Sequence, residues 1–350
     1  MNDRMRDYAP RPGTLAAMAA CLLALTACVR LPVEPTAPRP RPPLPSHPRP
    51  APPVTRPPAP APVPPTVPAD VLMAIQIRLD RAHCSPGGID GRWGPKSRKA
   101  LAAWHRKNGH PPADQVNPTV RARLGSTNGL MTAYTVTAAD HAALSPHPDS
   151  WLERSRMDRL GFATIEELVA EKCHLFRAAL RDLNPRAPWP NPPPGTVLTV
   201  PDVRAKPLPH LSRIDILVGE KSLLAYDAEG RLAALFPCSI AADISKRPVG
   251  KTLQVVVWAE NPDYTFDPAL FPENPESAAI GKRLRIPPGP NNPVGVAWIG
   301  LDLPGYGIHG TPAPEDISRT ESHGCFRLTN WDAAKLVHAV HAGLPVRVLP

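Results

Sequence analysis

His309 stands in the run Gly-Tyr-Gly-Ile-His-Gly-Thr, and a short spacer separates it from Ser322-His323-Gly324-Cys325. These residue types at this spacing can carry out nucleophilic acyl transfer. A thiol with an ordinary pKa of about 8.5 is only a few per cent thiolate at neutral pH, and an imidazole within reach can take its proton. Gly310 and Gly324 let the backbone approach closely and aim N–H groups at a developing oxyanion. Two other readings use the same residues. His309, His323 and Cys325 are a set that zinc accepts, although no fourth ligand stands nearby, and a single cysteine can be a small buried hydrophobe.

The residues around this cluster read as strands. Ile214–Val218, Ser222–Tyr226, Leu232–Ile240 and Gln254–Ala259 are apolar or alternating, with Gly-Glu-Lys and Glu-Gly turns between them. A helical stretch, Asp332–His341, precedes a last strand at Leu344–Val348. Such an order suits a β-sandwich or an open barrel with one helix. His338 and His341 fall on the surface of that helix, and Cys238 falls inside an apolar strand.

The motifs Gly-Lys-Thr (250–252), Gly-Pro-Asn-Asn-Pro-Val-Gly (289–295), Ile-His-Gly-Thr (308–311) and Ser-His-Gly-Cys-Phe-Arg-Leu-Thr-Asn (322–330) occur in one order. In this the stretch 210–350 resembles the L,D-transpeptidase (YkuD) catalytic domain. The resemblance implies that Cys325 is the nucleophile and His309 its general base, oriented by the Gly310 carbonyl. His323, Gly324 and the Cys325 backbone would shape the oxyanion pocket. Arg327, Ser322 and Tyr306 would meet substrate, with a purely structural role open for Arg327. The implied substrate is the peptidoglycan stem peptide, cut before its terminal D-alanine through a thioester. The acceptor would be a second stem, a protein lysine attached to the wall, or water, the last making an L,D-carboxypeptidase. A non-catalytic wall-binding lipoprotein is the rival in a different class, and an unrelated cysteine hydrolase a third. No cofactor and no metal is implied. The segment 243–250 departs from the family's Thr-Pro-x-Gly lead-in, and Phe326 is bulkier than its usual Ile or Leu.

Upstream the sequence predicts a multidomain α+β chain. Leu72, Ile75 and Leu79 recur at helical spacing, the turn Pro86–Pro95 carries Asp-Gly-Arg-Trp-Gly-Pro, and further helices span Pro95–Asn108 and Asn117–Leu124. Residues 70–126 resemble a small helical type 1 peptidoglycan-binding domain, with Asp90 and Trp93 read as turn and core residues. Residues 132–204 resemble a divergent LysM-like βααβ module, which binds glycan, or form a plain connecting domain. Tyr134-Thr135-Val136 opens it, Pro194–Pro201 closes it, and Trp151–Phe176 is largely helical.

The N-terminus bears Arg4, Arg6 and Arg11 before a short apolar stretch ending Leu25-Thr26-Ala27-Cys28. Residues 1–27 resemble a lipoprotein signal peptide, with lipid on Cys28; an ordinary secretory signal cleaved near Ala27 is the alternative. From 28 to 69 the chain is rich in proline, an extended tether of roughly 100 Å at about 3.1 Å per residue. The expected location is the cell envelope, a periplasmic protein anchored to the outer membrane. The net charge of +9 is scattered without an aromatic-interleaved stripe, which speaks against nucleic acid as partner. Cys84, Cys173 and Cys238 allow at most one disulfide among them, and a Cys84–Cys173 bridge would staple the two helical modules.

Overall fold

A computed structural model of the chain describes residues 67–126, 128–319 and 324–350. The leader, Cys28, the tether up to residue 66, Ser322 and His323 lie outside these described residues.

The first part is helical, as expected. Helices α1 (Ala69–Arg81), α2 (Pro95–Lys107) and α3 (Pro118–Leu124) bury Ile75, Leu79, Leu101 and Leu124 against one another. The turn between α1 and α2 hangs on one buried amide. Gln76 Nε2 donates to Asp90 Oδ1, the Arg92 carbonyl and Ser97 Oγ, while its Oε1 accepts from the backbone N–H groups of Asp90 and Gly91. Asp90 therefore serves the turn.

The second part pairs β1 (Met131–Thr135) with β2 (Val197–Pro201) in antiparallel register. Between them run α4 (Ala138–Ala142), α5 (Trp151–Arg154), α6 (Ile165–Lys172) and α7 (Arg177–Leu183). The stretch 151–176 is less helical than its pattern predicts. Around Leu160 the backbone leaves the helix because it pairs elsewhere: Leu160 N–H donates to the Pro288 carbonyl (2.8 Å), and its own carbonyl accepts from Asn291 N–H (3.1 Å).

The third part is one mixed sheet of eight strands with helix α9 (Asn330–Val337). Its strands are β3 (Leu211–Leu217), β4 (Ser222–Asp227), β5 (Leu232–Pro237), β6 (Thr252–Glu260), β9 (Ala297–Leu301), β10 (Gly307–His309), β11 (Phe326–Arg327) and β12 (Pro345–Leu349), in the order β11-β10-β9-β6-β12-β3-β4-β5. A separate hairpin of β7 (Tyr264–Phe266) and β8 (Leu284–Ile286) carries the short α8 (Ser277–Ile280). The sheet curls until its two ends touch: Ser239, just past β5, and Arg327 on β11 exchange N–H···O bonds of 2.9 Å each way. This is the open-barrel alternative rather than a sandwich. Ile216, Phe236, Ile299, Phe326 and Leu336 fill its interior. On its other side β5 accepts the 83–85 segment: Leu235 N–H donates to the His83 carbonyl and Ser85 N–H to the Leu235 carbonyl, both 2.8 Å.

No disulfide joins Cys84 to Cys173; both are buried thiols, and burial pushes each up to about 12. Besides these backbone links, a charged node joins the parts. Asp80 of α1, fully buried, accepts from His174 Nδ1 (2.9 Å) and Lys335 Nζ of α9 (2.9 Å). Asp332 approaches the same ammonium at 3.5 Å and accepts from Ser85 Oγ at 2.6 Å.

Two outcomes are expected. Asp80→Ala leaves Lys335 as a buried, poorly compensated charge and should lower stability by about 3–5 kcal/mol in denaturant titration; a change under ~1 kcal/mol would contradict the role given to this node. Burial lowers His83 and His309 from 6.5 to about 4 in the folded chain. At these two sites the unfolded chain then binds more protons, so they contribute a loss of stability as pH falls from 6.5 towards 4, opposed by Glu171, which burial raises to about 8. A His83→Gln variant whose unfolding midpoint falls as steeply as the parent's across that window would be inconsistent with it.

Candidate active site

Strand alternation sets which residues meet. Strand β10 pairs antiparallel with β9 and parallel with β11, placing Ile308 beside Phe326 and His309 beside Arg327. Ile308 and Phe326 point into the core, at 0% and 1% exposed. With a period of two, His309 and Arg327 share the opposite face, as does Cys325, one residue before β11. The structure thus brings together His309, Arg327 and Cys325. Gly310 and Gly324 flank them in the chain, and His323 and Ser322 lie outside the described residues.

His309 is held in one tautomer. Its Nδ1 lies 2.6 Å from the Gly310 carbonyl, which can only accept, so Nδ1 carries the proton and Nε2 keeps a lone pair. The ring stacks against Trp298 at 5.7 Å between centroids, and Trp298 in turn lies across Gly307, where a Cβ would stand 2.5 Å from the indole. Burial therefore lowers the imidazole to about 4, against the hydrogen bond to Gly310 and with the Arg327 guanidinium adding to the fall. At neutral pH His309 is an uncharged base.

Cys325 Sγ donates to the Gly305 carbonyl at 3.4 Å. Burial raises its pKa; the Gly307 N–H and the Arg327 charge pull the other way without cancelling it. The resting pair is a neutral thiol with a neutral imidazole, unlike a preformed thiolate–imidazolium pair. An N–H already aimed at sulfur and a guanidinium nearby would both gain strength once charge develops.

Tyr306 is half-buried and its hydroxyl donates to the Lys246 carbonyl at 2.8 Å, tying the 243–247 loop to the segment before β10. Tyr264, on β7, is raised to about 12 by burial, with the Cys325 charge second, which places it in the electrostatic reach of the thiol. Its hairpin is braced from the second part of the chain: Trp151 stacks on Phe266 at 4.3 Å, and Glu276 accepts from Ser150 Oγ and Trp151 N–H. Trp298, Tyr264 and Asn330 are site residues that sequence reasoning missed. Asn330 closes the quoted 322–330 motif, so a signal for it existed. Among the described residues no group of three His, Cys, Asp or Glu side chains is placed to hold a metal ion.

Residues 212–348 match the L,D-transpeptidase catalytic domain, YkuD. A putative L,D-transpeptidase from the ATP synthase subunits region of Fuscovulum blasticum is 36% identical over 131 residues, 37% of this chain and 65% of that relative. This chain thus spans a little under two thirds of that relative's length. The putative L,D-transpeptidase YkuD of Bacillus licheniformis is 25% identical over 188 residues, 53% of this chain and 94% of its own. Among solved structures, L,D-transpeptidase 3 from Mycobacterium tuberculosis in complex with a faropenem-derived adduct is similar at 17% identity, covering 46% of this chain and 76% of that one with a TM-score of 0.32. The match is confined to residues 212–348, and 67–211 lie outside it.

A thiol held neutral by burial should react slowly at pH 7. Alkylation of Cys325 by iodoacetamide, followed by peptide mass mapping, is expected to keep rising beyond the ordinary thiol range of about 8.5; a plateau reached by about pH 6 would indicate a preformed thiolate.

Proposed function

We propose that this chain is a peptidoglycan L,D-transpeptidase that works through a Cys325 thioester. The observation that carries the reading is the shared face of β10 and β11, where a tautomer-fixed, uncharged His309 on β10 and the Cys325 thiol just before β11 fall within the matched domain. The Sγ proton passes to His309 Nε2 as sulfur attacks the carbonyl between the third stem residue and D-alanine. Electrons move onto the carbonyl oxygen, and N–H groups beside Cys325 stabilise it. Collapse breaks the C–N bond, His309 returns its proton to the departing amine, and D-alanine leaves a thioester. An acceptor amine then attacks, His309 takes its proton, and the thiolate is released and reprotonated.

The acceptor in this reading is the side-chain amine of a second stem, giving 3–3 cross-links, or a lysine of a wall-attached protein. In this reading Arg327 orders the site or meets a substrate carboxylate, His323 and Gly324 serve the oxyanion, and Ser322 and Tyr306 meet substrate. The helical 70–126 part and the 132–204 part present the domain to peptidoglycan. A lipid on Cys28 and the proline-rich tether keep it in the periplasm, at the outer membrane.

Purified protein incubated with wall sacculi should yield new 3–3 cross-linked muropeptides. Loss of D-alanine without cross-links would make it a carboxypeptidase, and unchanged muropeptides would leave binding alone. Cys325→Ala should take no covalent carbapenem by mass, and His309→Ala should slow acylation by roughly 10²–10⁴-fold. A labelled Cys325→Ala protein would overturn the nucleophile. Palmitate incorporation should vanish in Cys28→Ala; unchanged membrane association of that variant would refute the anchor.

A further inference from the structure

The Gly310 carbonyl that fixes His309 belongs to a peptide with an unusual neighbour. The Asn330 carboxamide oxygen sits where a Cβ on Gly310 would be, 2.2 Å away, and where a Cβ on Gly295 would be, 1.9 Å away. Only glycine at both positions leaves that space. The oxygen also accepts from Val296 N–H at 3.2 Å, so Asn330 packs between the 292–296 turn and the strand end that bears the base.

The other end of this carboxamide is held from outside the matched domain. Asn330 Nδ2 donates to the Pro290 carbonyl at 3.0 Å and to both carboxyl oxygens of Glu171, at 3.0 and 3.1 Å. Glu171 lies in the last turn of helix α6, whose residues all precede 212. One turn earlier on α6, Glu167 accepts from Asn291 Nδ2 at 2.6 Å, gripping the same 289–295 motif. Two acids one helical turn apart thus meet two asparagines of the catalytic domain.

We infer that Glu171 is a positioning residue for the proposed transpeptidase reaction, acting through Asn330 on the Gly310 peptide and so on His309. The inference rests on His309 being the base. It gives the 132–204 part a task beside any hold on the wall, since a helix of that part completes the setting of the base. Burial raises Glu171 to about 8, against the pull of the Asn330 N–H and aided by Glu167 and by Glu315 from the 314–316 turn. At neutral pH the group is mostly an uncharged acid, which glutamine reproduces in shape, charge and acceptor.

The test uses the full chain and the rate at which a carbapenem acylates Cys325, followed by mass. Glu171→Ala should slow acylation roughly ten- to hundredfold while full labelling is still reached, and Glu171→Gln should retain most of the rate. Asn330→Ala should be slow as well, and the Glu171→Ala/Asn330→Ala double variant no slower than Asn330→Ala alone. The His309 Nδ1–H proton, seen by NMR in the parent and in Glu171→Gln, should broaden or shift in Glu171→Ala. If Glu171→Ala does not fold, Glu171→Asp, one methylene short, takes its place: slow acylation with an unchanged melting midpoint supports the inference. A folded Glu171→Ala or Glu171→Asp protein that acylates at the parent rate overturns it, as does additivity in the double variant. Cys325→Ala runs in the same assay; if it is labelled, the nucleophile assignment fails and not this inference.

Discussion

Among the described residues, the register of the upstream parts on the eight-stranded sheet depends on a carboxylate that has lost its water. Asp80 is fully buried, and burial alone would drive it towards the neutral acid, yet the Lys335 ammonium and His174 hold it well below the usual carboxylate range. Such a node contributes little net stability over a well-packed apolar one. What it contributes is register, because an ammonium buried on α9 accepts only one placement of α1 and one placement of the α6–α7 corner. The apolar clusters beneath the helices could slide by a residue at modest cost. The charged node could not.

That register matters at a distance, because α6 touches the catalytic part twice. Its N-terminal half contributes Ile165 and Leu168 to the core of the second part, while Glu167 and Glu171 point the other way, to Asn291 and Asn330. Displacing the helix would unseat both asparagines together. On the other flank a different helix of the second part, α5, makes contact, where Trp151 stacks on Phe266 of the hairpin bearing Tyr264.

Much of this was legible in the sequence. Helices α1 and α2 follow from apolar spacing, with proline in the first turn of α2 and α3, and β3 to β6 from alternation and turn residues. Cys325 and His309 stood out because nucleophile, base and glycines fall in a single motif. The eight-stranded sheet's last members did not, since β10 and β11 span three and two residues and owe their existence to pairing across the curled sheet. Glu171 was hidden for a related reason. In a helix that reads as polar and surface-facing, nothing local distinguishes an acid meeting solvent from one meeting an asparagine 159 positions later. Of the pairings the cysteines left open, Cys84–Cys173 does not form, because each thiol is buried in its own apolar cluster.

Strand β5 reads Leu-Ala-Ala-Leu-Phe-Pro and every one of its residues is buried. A bare strand end of that composition is a template for pairing with another chain, and proteins rarely leave one uncovered. Here the backbone of His83, Cys84 and Ser85 occupies it, and Lys107 Nζ caps the Ala233 carbonyl at 2.7 Å. The helical part therefore acts as a shield against self-association. A fragment cut free near residue 205 would keep Cys325 and His309 and would still tend to aggregate, for want of three residues of borrowed backbone.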